Sequence, residues 1–182
     1  MSNPEILFGI YCPPHPQPLL SPDASEGYGK LRDAFETCRK RIEESEADLI
    51  LVYSTTWPSI IGHQIQGHPE PEWVHVDDDF HYLGSMPYKF KMDTEFAEKF
   101  RESAESRGLQ SRTVSYDGFP IDTGSIVALK LLNPDNRIPA CIVSSNMYAN
   151  RAETIVLGKS ARDAVGAQGK NCLLYTSDAA DE

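Results

Sequence analysis

The side chains best equipped for chemistry in this sequence are five histidines, and four of them crowd into one segment. His63, His68, His75 and His81 share residues 62–92 with Asp77, Asp78 and Asp79. Imidazoles with carboxylates are the donor set of a divalent-metal site. Their spacing argues against one, because no two histidines are four apart, the separation that sets both rings on one helix face, and no HExxH occurs. The segment reads instead as a solvated loop with an acidic turn. His15, in "CPPHPQP" (12–18), is an isolated potential metal ligand or general base, and a lone histidine in a proline-rich loop is more often structural. Ser144 and Ser145 close an apolar run but lack a GxSxG elbow, and neither GxxxxGK[ST] nor GxGxxG is present, so a hydrolase triad, a P-loop and a dinucleotide site are not expected. There remains "VYSTTW" (52–57), where Thr55 and Thr56 stand at the end of an apolar run, a place where an active site wants an imidazole or a carboxylate.

The elements that must position these residues follow from periodicity. "EILFGIYC" (5–12) is an apolar run of strand length, and the prolines after it impose an extended loop. From Tyr28, Leu31, Ala34, Phe35, Cys38 and Ile42 recur at helical spacing. "DLILVYS" (48–54) is continuously apolar, as a strand covered on both faces is. Residues 62–92 form a long polar excursion suited to function or to partner contact. Asp93 caps a helix with Phe96, Ala97, Phe100 and Ala104 on one face, stopped at Gly108. "LQSRTVSY" (109–116) is a strand, "DTGSIVALKLLNP" (122–134) a short helix, and "RIPACIVSSN" (137–146) a buried strand. Asn150 with Glu153 opens a helix through Val165. The alternation predicts a three-layer α/β fold with a mainly parallel central sheet flanked by helices. In such a sheet the crevice lies beyond the carboxyl ends of the strands, here after Tyr11, Tyr53 and Val143. Cys12, Pro14, Thr55, Trp57, His63, Ser145 and Asn146 are candidates to line it.

The chain has 182 residues, 17 basic against 27 acidic, and a formal charge of -10, which disfavours nucleic acid and anionic membrane as partners. No apolar run is long enough to span a bilayer and no signal-peptide pattern opens the chain, which is read as cytoplasmic. Cys12, Cys38, Cys141 and Cys172 are scattered, as reduced thiols are. "CLLYTSDAADE" (172–182) resembles the translation of a transposon-derived sequencing adapter. The expectation is therefore a single domain over 1–171, itself cut short, followed by a non-native tail that packs poorly.

"GIYCPPHPQPLL" (9–20), "ADLILVYSTTWPSIIGHQIQG" (47–67), "DTGSIVALKLLNP" and "IPACIVSSNMY" (138–148) together resemble, in order and spacing, the class III extradiol ring-cleavage dioxygenases, from Ile6 to Val165. The resemblance implies ferrous iron, Fe(II), held in catalytic subunits by a histidine after the first strand, a histidine in an "SPHW" turn after the second, and a distant glutamate. Against that turn the chain reads Ser54, Thr55, Thr56, Trp57, so Thr56 takes the ligand's position, and a threonine hydroxyl is a poor ligand for ferrous iron. At the first strand an ungapped alignment sets Pro14, and a one-residue shift sets His15, in the ligand position. The resemblance thus implies a non-catalytic α-type subunit without iron of its own, in a heteromeric dioxygenase acting on 2-aminophenol or catechol-type rings, partnered by a catalytic β-type subunit. The alternative is a self-sufficient Fe(II) dioxygenase using His15 and another histidine such as His63.

Overall fold

Apolar side chains that alternate between two faces give the central strands their place. The computed structural model describes residues 4–177, and among them six strands form one sheet. These are β1 (Ile6–Cys12), β2 (Leu49–Ser59), β3 (His63–Gln66), β6 (Ser111–Val114), β7 (Ala140–Asn146) and β8 (Cys172–Ser177), in spatial order β1-β8-β2-β7-β3-β6. Along β2, Leu49 and Leu51 enter one core cluster, while Ile50 and Val52 enter the other. Helices α2 (Glu26–Glu44) and α4 (Thr123–Leu132) supply Phe35, Ile42, Ile126 and Leu129 to the Ile50 cluster. On the opposite face, α3 (Thr94–Ser106) and α5 (Arg151–Gln168) supply Phe96, Phe100, Leu157 and Val165. The three-layer α/β expectation holds, with β1, β8, β2 and β7 mutually parallel and β3 meeting β7 antiparallel.

The capping residues do what their chemistry predicts. Asp93 accepts from the Phe96 amide at 2.9 Å, and Asn150 and Glu153 form a reciprocal capping box. Asp122 caps α4, accepting from the Ser125 amide at 2.9 Å.

Four expectations are corrected. The loop after β1 is not extended throughout: Pro16 and Pro18 start a short helix, α1 (Gln17–Leu20), because proline is tolerated in a first turn where its missing N–H has no partner to lose. The polar excursion is not all loop, since its first residues form β3 inside the sheet. "HQIQ" carries one apolar side chain, Ile65, so its burial left no periodic trace. Farther on, β4 (Glu72–His75) and β5 (Met86–Lys89) pair as a separate antiparallel hairpin. The fourth correction is the largest. Cys172–Ser177 is no loose tail but a strand paired with β1 on one side and β2 on the other, with Cys172, Leu173 and Tyr175 wholly buried. The polar "TSDAADE" end hid a continuously apolar start, Cys172 to Tyr175, and such a run suits a strand covered on both faces whatever its origin. Residues 178–182 lie outside the described residues.

Candidate functional site

Register brings the three expected strand ends to one level. Tyr11 pairs with Thr176, Thr176 with Tyr53, and Tyr53 with Val143. Just beyond, β2 departs from its neighbour: its pairing with β7 slips between Ser54 and Pro58, so Thr55, Thr56 and Trp57 bulge out of the ladder. The sequence suggested a turn here; a bulge serves the same end, re-aiming side chains beside a site. The buried Ser54 hydroxyl closes the bulge by accepting from the Trp57 amide at 3.1 Å.

Thr56 emerges into a crevice of about 350 Å³ with Pro14, His15, Pro16, His75, Asp77 and Asp122 among its walls. Three segments distant in sequence meet there: the loop after β1, the β2 bulge, and the first turn of α4. The Asp122 carboxylate joins the last two. Its Oδ2 accepts from Thr56 Oγ1 at 2.5 Å, from Ser54 Oγ at 2.8 Å and from the Ser125 amide at 2.9 Å, while Oδ1 accepts from Ser125 Oγ at 2.8 Å. The next residue, Thr123, donates its hydroxyl to Asp77 and is contacted by His75 Nε2 at 2.9 Å, so His75 serves as donor to it. Asp77 also caps its own turn, its other oxygen accepting from the Asp79 and Phe80 amides, each at 3.0 Å. The acidic turn is therefore present as expected, but all three of its aspartates, Asp77, Asp78 and Asp79, line the crevice. His15 stands edge-on to the Phe80 ring, with centroids 6.0 Å apart.

The other sequence candidates lie elsewhere. Cys12 is buried in the core, where desolvation pushes its thiol up to about 11, so it stays protonated and inert at neutral pH. Trp57 packs on Phe119 at 5.2 Å between centroids. Thr55 is half-buried beside Thr56 in the bulge but is not a wall of the crevice. Ser145 and Asn146 pair with Pro58 and Ser59, past the bulge, and Asn146 accepts from the Tyr148 amide at 3.1 Å. Ser145, two residues after Val143, falls by alternation on the α3/α5 face and does not join His15 and Thr56. His63, the alternative ligand, is also outside the crevice: two residues before Ile65 on β3, it is 1% exposed on the α3/α5 side. Asp122 was not singled out by sequence, and His75 was weighed only as one of the four clustered histidines and read as a loop residue. An "S/T/D-x-x" cap signal marks Asp122, but nothing local says that it reaches Thr56.

Iron requires three convergent donors on one face. Among the described residues no three histidine, cysteine, aspartate or glutamate side chains are grouped to hold an ion. Thr56 is committed to Asp122, and the donors at hand do not fit a two-histidine, one-carboxylate centre.

Burial gives His63 a pH signature. Neither ring nitrogen has a hydrogen-bond partner of normal geometry, and desolvation lowers its pKa from the ordinary histidine value, partly opposed by the nearby Ser144 backbone and, less, by Glu153. The folded chain then binds fewer protons than the unfolded chain just below that value. Stability falls as pH drops through the window and is untouched above it, with a slope of at most about 1.4 kcal/mol per pH unit. His63→Leu should flatten this acid limb in urea titrations run between about pH 5 and 7. An unchanged slope would assign the effect to another group.

The comparisons with known proteins agree with this architecture. The family model described as the catalytic LigB subunit of aromatic ring-opening dioxygenase matches residues 9–177. The 2-aminophenol 1,6-dioxygenase alpha subunit of Pseudomonas sp. is 30% identical over 166 residues, covering 91% of this chain and 61% of that one. The beta subunit of the same name, also from Pseudomonas sp., is 31% identical over 193 aligned positions, covering 98% and 63%. The 3,4-dihydroxyphenylacetate 2,3-dioxygenase of Escherichia coli is 22% identical over 114 residues, covering 62% and 41%. This chain thus spans about three fifths of the length of the first two relatives. Among solved structures, an uncharacterised protein of Escherichia coli K12 shares the fold with a TM-score of 0.55 at 18% identity, over 79% of this chain and 51% of that one.

Proposed function

Since the chain belongs to the LigB family of aromatic ring-opening dioxygenases, we propose that it is a non-catalytic α-type subunit that stabilises an iron-bearing, catalytic β-type partner acting on 2-aminophenol or a catechol-type ring. The observation that carries the reading is Thr56. It stands at the strand end where the resemblance expects an iron histidine, and its hydroxyl is spent on Asp122 at 2.5 Å. Overall identity does not discriminate, because the alpha and beta relatives match at 30% and 31%. The crevice chemistry supports the α-type reading. A subunit keeping the fold while losing the ligand retains its packing surfaces without a reaction centre.

The alternative, a self-sufficient enzyme using His15 and another histidine, cannot use His63, which is buried in β3; His75 does share the crevice with His15, but its Nε2 is bonded to Thr123 at 2.9 Å. The family description names a catalytic subunit, which keeps that alternative worth measuring. As for surroundings, no helix among the described residues is long and apolar enough to cross a membrane, and a cytoplasmic setting is part of the proposal.

Co-expression with a β-type subunit tests the reading. The two chains should co-purify, and the complex should melt above the isolated β-type chain. At free concentrations about a hundred times the dissociation constant, mass action gives about 2.7 kcal/mol of added stability. Separate elution with unaltered melting of the β-type chain would contradict it.

A further inference from the structure

We infer that Asp122 is an anionic hub that ties the β2 bulge to the first turn of α4 without a bound ion, with the loop after β1 packed against the same point at Gly124, closing position 56 to metal. The inference deepens the non-catalytic reading and rests on it only in what it says of metal.

The hub has three independent supports. First, both Asp122 oxygens are occupied: Oδ2 by Thr56, Ser54 and the Ser125 amide, Oδ1 by the Ser125 hydroxyl. Second, two of those donors have no recourse to water, since Ser54 is 0% and Ser125 1% exposed. A buried hydroxyl deprived of its acceptor carries the full desolvation penalty. Third, Gly124 shows how tightly the three segments close. A Cβ there would stand 2.6 Å from Thr56 Oγ1 and 2.8 Å from Pro14 Cβ, both on stiff side chains. The Thr56 hydroxyl is therefore wedged between the Asp122 carboxylate and the Gly124 backbone. An ion at this point would have to displace hydrogen bonds the fold itself uses.

Gly124 also gives the test a sign that ordinary helix energetics does not. Alanine is the better helix former, so propensity alone predicts that Gly124→Ala stabilises. The wedge predicts the reverse, because overpacking against Pro14 and Thr56 forces the segments apart. Melting curves of the whole chain, with and without a chelator, read the outcome. Thr56→Val should lower Tm by roughly 2–4 °C and Asp122→Asn by roughly 4–8 °C, while Thr56→Ser, which keeps the hydroxyl, should stay within about 1 °C. Gly124→Ala should also melt lower, and the chelator should leave the unmodified chain unmoved. If Asp122→Asn fails to fold, that agrees with the hub, and the milder Thr56 and Gly124 variants still decide it. Thr56→Val and Gly124→Ala melting at or above the unmodified chain would overturn the hub, as would a fall in Tm on chelation. Failure of the co-purification above would leave these melting results standing, so the two ideas fail separately.

Discussion

Deleting Cys172–Glu182 should abolish the cooperative unfolding transition. β8 lies between β1 and β2, so its loss breaks the sheet in its interior rather than shortening an edge. Cys172, Leu173 and Tyr175 are all 0% exposed, and burying side chains of the leucine class is worth about 1.5–3 kcal/mol each. Two hydrogen-bond ladders go with them. Against a typical domain stability of about 5–15 kcal/mol, the sum leaves little folded protein. Thermal and urea melts followed by circular dichroism would show it: a broad, non-cooperative change is expected, whereas a transition within a few degrees of the full chain would mean that β8 is dispensable. The prediction is independent of where the segment comes from. Its likeness to an adapter translation is tested by the genomic DNA following the codon for Asn171, and any continuously apolar continuation of strand length would fill the same slot.

Thr56→His should not create a dioxygenase. Restoring the imidazole supplies one donor, but a facial centre needs three, and no such group converges among the described residues. The new ring must also displace the hydrogen bond from position 56 to Asp122 and accommodate the Gly124 backbone beside it. His15 packs edge-on against Phe80, a contact that fixes neither ring nitrogen toward a metal, and donors left without supporting contacts bind metal weakly. The expected result is iron well below one equivalent after anaerobic loading, with no oxygen consumption above background on 2-aminophenol or catechol. A single-substitution gain of one equivalent of iron with turnover would mean that the remaining ligands are already in place.

Which parts of this molecule could be read from its sequence follows from where the information sits. Helices α3 and α5 announce themselves because their caps, Asp93 and Asn150 with Glu153, are local signals, and α4 does so by its apolar run ended before Pro134. β1, β2 and β7 are legible as apolar runs. β3 is not, because His63 and Gln66 are buried for their place in the sheet and not for their polarity. β8 was misjudged because its polar end outweighed Leu173 and Tyr175. The site shows the same division. Thr56 is conspicuous in a short motif, but its partner Asp122 lies 66 residues away, a juxtaposition made by topology. His75 and Asp77 read as loop residues and become crevice walls only because the chain returns past Thr123.

The central claim, that this chain carries no reaction centre of its own, is tested most directly by metal analysis of the unmodified protein after anaerobic loading with ferrous iron, coupled to oxygen uptake on 2-aminophenol and catechol in the absence of any partner. The account predicts iron far below stoichiometric and oxygen uptake indistinguishable from the buffer. One equivalent of iron together with ring cleavage by the isolated chain would contradict it.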